Sequence, residues 1–225
     1  MDALSRNTLG RLTIFQIFVA LLLFLPAWTL HFWQAWLFWI VFSIAQFAIT
    51  LHFLRTDPHL IENRLKAGPR AESRPAQKLI LSFAVILACA VVLLPGLDHR
   101  FGWSAVPVPV VILGDAGVAL GIFIVFLVFR ANTHAAAIIK VEEHQQVIST
   151  GLYGLVRHPM YLGALILFIA VPLALGSLWT LLLVPPLFGI LVARLLDEER
   201  FLLTNLPGYA AYWQKVRFHL IPFLW

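Results

Sequence analysis

The chain has 225 residues, 61% hydrophobic and only 12% charged, with a formal net charge of +5 and a mean hydropathy of +0.89. Soluble domains are roughly half apolar and a quarter charged, so this balance excludes water as the main solvent. The single cysteine, Cys89, excludes an intramolecular disulfide and a thiolate metal cluster, and reads as a small packing residue.

The apolar residues gather in blocks of roughly 20, the length at which a helix crosses the hydrocarbon core of a bilayer, so the fold expected is an all-α, polytopic transmembrane bundle of about six spans. The blocks are 12–30, 33–54, 79–97, 108–129, 161–175 and 178–196. Arg6 and Arg11 precede the first, which is too long and too poor in small residues at its end to be a removable signal peptide. Trp28, Phe32, Trp33 and Trp36 mark the junction of the first two blocks and read as anchors at the headgroup boundary. A basic segment, 55–78, follows; Pro58, Gly68, Pro69 and Pro75 interrupt it, and it reads as a connector. Blocks five and six are separated only by Gly176 and Ser177, which predicts a tight helical hairpin, and the fifth is short for a span.

With both termini in the cytoplasm, six spans put 15 of the 16 lysines and arginines on one side and leave only Arg100 opposite. Such asymmetry is the positive-inside signal, so the excess charge reads as topology and contact with anionic lipid, with no call for nucleic acid. The chain also divides by chemistry. Residues 1–104 are apolar spans and the basic segment, while 105–225 holds the residues that a site requires and reads as the core bearing a cytoplasmic cofactor site.

Three groupings there carry chemistry. Arg157, His158 and Pro159 stand at the start of the fifth block, where the free amides and positive dipole end of a helix favour an anionic ligand group; headgroup anchoring explains them equally well. Arg194, Asp197, Glu198 and Glu199 end the sixth block, with Arg194 and Glu198 one helical turn apart as an ion pair, or the acids forming a site for a ligand amine. Tyr209, Tyr212, Trp213, Lys215 and Arg217 suggest an amphipathic helix on the membrane surface that is able to roof a site. His134 and His144 lie ten apart without any H-x-x-x-H spacing, so no metal is expected, and no phosphate-binding glycine motif is present.

In order and spacing, Gln145-Gln-Val-Ile-Ser-Thr-Gly-Leu-Tyr153, Arg157-His-Pro-Met-Tyr161, Arg194-Leu-Leu-Asp-Glu198-Glu199 and Tyr209-Ala-Ala-Tyr212, ending in Leu220-Ile-Pro222, resemble the isoprenylcysteine carboxyl methyltransferase family. These polytopic enzymes use S-adenosyl-L-methionine, and phospholipid methyltransferases share the arrangement. The resemblance implies a cofactor pocket of Gln145, Gln146, Val147, Ile148, Tyr153, His158, Pro159, Met160 and Tyr161 closed by Glu198, with Arg194 facing the methyl acceptor. It implies a lipidic or prenylated small-molecule substrate that enters from the membrane.

A carboxylate acceptor is ionised at neutral pH and needs only positioning, whereas an amine must first lose a proton. A phospholipid or amine N-methyltransferase is therefore the alternative within the same chemistry. A nicotinamide-dependent sterol-type membrane reductase is a second enzyme class. A transporter or lipid-binding protein is the non-enzymatic reading, disfavoured because ionisable residues are scarce in the middle of the spans: Asp115 lies near one end of its block and His52 near the end of its own.

Overall fold

The computed structural model describes residues 2–65, 72, 74–133 and 146–225, and among these it is helical without a β-strand. The helices are α1 (Ala3–Ala27), α2 (Trp33–Thr56), α3 (Pro58–Leu65), α4 (Pro75–Phe101), α5 (Val108–Ala131), α6 (Pro159–Ala174), α7 (Val184–Asn205) and α8 (Tyr209–Lys215). Short 3-10 turns, Gly151–Gly154 and Trp179–Leu183, precede α6 and α7.

Local chemistry sets the helix ends. Asp2 caps α1 by accepting from the Ser5 amide at 2.8 Å, and proline occupies the first turn of α4, α5, α6 and α7, where a missing N–H costs nothing. α4 stops at Gly102, whose φ of +64° suits glycine and closes the last turn.

Four of these helices (α1, α2, α4 and α5), together with the continuous stretch Trp179–Asn205, are long and apolar enough to cross a membrane. α6 has 16 residues, about 24 Å at 1.5 Å per residue, and so falls short of a full hydrocarbon core. Large apolar side chains such as Ile14, Ile44, Leu79, Ile86 and Leu113 stand exposed around the bundle, which fits an integral membrane protein surrounded by lipid.

Helix contacts close a ring in the order α1, α2, α5, α6, α7, α4. Its centre holds Val19, Leu23, Phe38, Val91, Val118, Ile122 and Leu187. Small residues permit the two closest approaches. Gly96 of α4 faces the Leu23 carbonyl of α1; Gly114, Gly117 and Gly121 of α5 face Ala174, Ala170 and Leu167 of α6. A Cβ built at Gly114 would lie 2.3 Å from the Ala174 nitrogen, so any side chain there forces the helices apart.

Two expectations change here. The closest partner of α6 is α5 rather than α7, because three α5 glycines let the backbones meet while the 3-10 turn carries the chain away before α7 begins. Phe32 is no headgroup anchor: it is fully buried and stacks on His99 with ring centroids 4.2 Å apart, whereas Trp28 and Trp33 are exposed.

At this end of the bundle Asp98 is buried, yet it accepts from the Ser104 amide and hydroxyl, both at 2.7 Å, and from Ser177 Oγ. That knot ties the end of α4 to the turn after α6. The opposite end, where Arg64 of α3, Arg74 at the cap of α4, Arg157 and His158 before α6, and Arg194 of α7 gather, carries the candidate site.

Candidate active site

Three successive acids on a helix point about 100° apart, so Asp197, Glu198 and Glu199 of α7 necessarily face three different neighbours. Asp197 turns to α4: Arg74 Nη1 lies 2.7 Å from Oδ2, Arg74 Nη2 donates to Oδ1 at 2.8 Å, and the Gln77 amide donates to Oδ2. Glu198 turns to α6, accepting from the Tyr161 hydroxyl at 2.5 Å. Glu199 turns to the start of α6 and to the C-terminal tail. Its Oε1 lies 2.9 Å from Arg157 Nε and 3.0 Å from His158 Nε2, and its Oε2 lies 3.4 Å from His219 Nε2.

The segment before α6 positions this last group. The Arg157 and His158 amides donate to the carbonyls of Phe218 and His219 at 2.9 and 3.0 Å, which fastens the tail across the first turn of α6. Arg157, His158 and Glu199 are all buried, between 4% and 6% exposed. The expected anion at Arg157 and His158 is thus a carboxylate of the chain itself, and His158 is engaged with Glu199 while its ring stacks on Tyr161, centroids 5.5 Å apart.

Arg194, one turn before Glu198, donates from Nε to the Tyr161 hydroxyl at 3.1 Å and from Nη1 to Gln77 Oε1 at 3.0 Å. The expected Arg194–Glu198 pair therefore runs through a phenol: Gln77, Arg194, Tyr161 and Glu198 form one hydrogen-bonded line across α4, α7 and α6.

Arg64 of α3 approaches from the other side, with Nη1 3.9 Å from Met160 Sδ and its guanidinium 4.8 Å over the Phe129 ring. Burial, then the charge of Arg194, lowers its pKa to about 10, so it stays cationic at neutral pH. The 55–78 segment is accordingly more than a connector: Arg64, Arg74 and Gln77 from it reach the cluster.

Tyr153 sits behind, accepting from Asn132 Nδ2 at 3.2 Å, and burial pushes its phenol up to about 12, so it stays protonated. Its carbonyl accepts from the Tyr212 hydroxyl at 2.8 Å, which docks α8 over the site. Val147 packs with Leu202, Leu206, Tyr209 and Tyr212. Tyr209 is buried, and its hydroxyl has no hydrogen-bond partner among the described residues.

Of the residues singled out in the sequence, the structure gathers Arg194, Glu198, Tyr161, His158, Pro159 and Met160 at the start of α6, with Tyr153 and Val147 near α8. Gln146 is exposed, and among the described residues no side-chain hydrogen bond joins it or Ile148 to the cluster. Gln145 lies outside the described residues, as do His134 and His144.

The sequence matches the model of the phospholipid methyltransferase family over residues 109–206. That stretch runs from the second residue of α5 to the end of α7 and contains Arg157, His158, Tyr161, Arg194, Glu198 and Glu199, but not Arg64, Arg74, Gln77 or His219. The match supports a membrane methyltransferase. No curated protein matches the chain.

Residues outside the matched stretch are the ones that sequence reasoning missed. Gln77 is an ordinary polar residue in the first turn of a span, and only its place opposite Arg194 and Asp197 distinguishes it. His219 follows Arg217 and Phe218 in a tail that reads as interfacial, and nothing local marks it as a partner of Glu199.

Proposed function

We propose that this chain is an integral membrane methyltransferase that uses S-adenosyl-L-methionine to methylate the carboxylate of an isoprenylated cysteine or a similar lipidic acceptor. The observation that carries the proposal is the line Gln77–Arg194–Tyr161–Glu198, which sets a guanidinium and a carboxylate on either side of one half-buried phenol, these last three residues lying inside the matched stretch.

The residues present fit the cofactor. Its ammonium and ribose hydroxyls need acceptors, which Glu198 offers, and the Tyr209 hydroxyl, buried and without a hydrogen-bond partner among the described residues, is a donor suited to an acceptor on the cofactor. Val147, Tyr153, Pro159 and Met160 would supply apolar walls. When bound, S-adenosyl-L-methionine supplies an electrophilic methyl group that is displaced in line from a sulfonium.

The protein's tasks are then alignment and exclusion of water. Arg194 holds the acceptor carboxylate through paired N–H donors, and Arg64 adds a second cation beside Met160. An ionised carboxylate needs no base, so the hydrogen-bonded Tyr161 serves to hold Arg194 and Glu198 in register. α8 and the tail cover the site and keep it dry.

A second reading follows from the description of the matched family, phospholipid methyltransferase: the acceptor would then be the amine of a phospholipid. That amine must shed a proton, a task Glu198 is placed to perform. The two readings separate on the bond formed. Purified protein in nanodiscs is given methyl-tritiated cofactor with either N-acetyl-S-farnesylcysteine or phosphatidylethanolamine. Base-labile label released as methanol from the farnesylated acceptor is the expected result, base-stable label in the phospholipid favours the amine reading, and no transfer to either overturns both.

A further inference from the structure

Gln77 is fully buried, and its amide makes two bonds to groups of opposite character on α7. Arginine only donates and a carboxylate only accepts, so Arg194 fixes which end of the amide is oxygen and Asp197 fixes which end is nitrogen. The orientation is determined twice over. Asp197 is itself held by both Nη atoms of Arg74, so the carboxylate that accepts from the amide is fixed in place.

From this geometry we infer that Gln77 is the positioning residue of Arg194, coupling the basic segment before α4 to the guanidinium at the acceptor side of the site. The inference rests on Arg194 facing the acceptor. Nε of Arg194 is committed to Tyr161 and one Nη to Gln77, so the plane of the fork is set by groups on two different helices, α6 and α4. A guanidinium held in one plane meets an incoming carboxylate in one orientation, and the carboxylate then loses less rotational freedom on the guanidinium side. Gln77 touches neither reacting atom in this account; it acts through Arg194 alone.

No single residue of similar size replaces it. Gln77→Glu sets two carboxylates against each other at Asp197, and Gln77→Met keeps the volume but loses both bonds. Gln77→Glu combined with Asp197→Asn exchanges donor and acceptor across the pair: the new carboxylate accepts from Arg194 and from the new amide, so both bonds of residue 77 are regained, while Arg74 keeps its bond to the remaining oxygen of residue 197 and loses the contact with Oδ2.

The test reads the guanidinium directly by nitrogen-15 NMR of arginine side chains in detergent-purified full-length protein, with the Arg194 signal assigned by its loss in Arg194→Lys. Separate, slowly exchanging Nη signals are expected for wild type, collapse to one averaged signal in Gln77→Met, and recovery in the double variant. With the acceptor methylated by the wild type, Gln77→Met is expected to lower kcat/KM between about tenfold and a hundredfold, chiefly through the acceptor KM, while affinity for S-adenosylhomocysteine stays unchanged. An Arg194 signal identical in wild type and Gln77→Met overturns the inference. Collapse and recovery of the signal in a protein that transfers methyl to neither acceptor supports the positioning and removes the proposed function instead.

Discussion

Glu199→Ala is expected to destabilise the protein by about 3–5 kcal/mol, the cost of stripping one partner from a buried ion group. Arg157 and His158 are as buried as Glu199 itself, so neither recovers water when the carboxylate goes. The tail loses its side-chain tie through His219 at the same time and keeps the two backbone bonds at Arg157 and His158 and the packing of Leu220 against Leu191 and Leu195. Thermal unfolding in detergent measures the loss, and a melting temperature within a degree or two of wild type would show that the cluster contributes nothing. Glu199→Gln separates charge from shape. It preserves a bond to His158 but leaves the guanidinium without its counter-charge, so a destabilisation close to that of alanine is expected if electrostatics dominates.

Arg194→Ala is expected to lower kcat/KM for the acceptor about a hundredfold while leaving cofactor affinity nearly intact, since two or three charge-assisted bonds to a carboxylate disappear together. Glu198→Ala should do the opposite, weakening the cofactor more than the acceptor. The contrast is informative because the two residues are joined through one hydroxyl and a merely structural cluster would move both constants together. Arg194→Lys is not expected to rescue, because a single ammonium cannot reach both Tyr161 and Gln77 in the geometry of a planar fork. Equal changes in the acceptor and cofactor constants for both variants would contradict the assignment of roles. Steady-state kinetics against each substrate, with calorimetry for the cofactor product, makes the comparison.

Hydropathy made the helices legible, because 20-residue apolar blocks have one economical structure in a bilayer. The short block at 161–175 became the short helix α6, as its length implied. What the pattern could not convey was lateral order. Which helix lies beside α6 is settled by Gly114, Gly117 and Gly121 meeting Ala170 and Ala174, a matter of shape between segments some 50 residues apart that hydropathy does not register. Phe32 shows the same limit at one position: an aromatic at a span junction looks like an anchor whether it faces lipid or, as here, stacks inside on His99.

The site was legible where residues are close along the chain. The run of three acids announced something unusual, and helical geometry turns it into three separate contacts. The partners were hidden because they come from elsewhere: Gln77 lies 117 residues before Arg194, and Tyr161 33 before it. Proximity on one helix suggested that Arg194 and Glu198 pair directly. The phenol placed between them by α6 is a tertiary fact, as is the capture of Glu199 by Arg157 and His158, which fills with an internal carboxylate the place where a ligand anion was expected.

The central claim is that the cluster at the start of α6 holds S-adenosyl-L-methionine, and calorimetric titration of S-adenosylhomocysteine into detergent-purified, folded protein tests it most directly. Wild type is expected to bind with a dissociation constant in the micromolar range, and Glu198→Ala at least about tenfold more weakly. No heat of binding from a folded wild-type protein, or equal binding by wild type and Glu198→Ala, would contradict it.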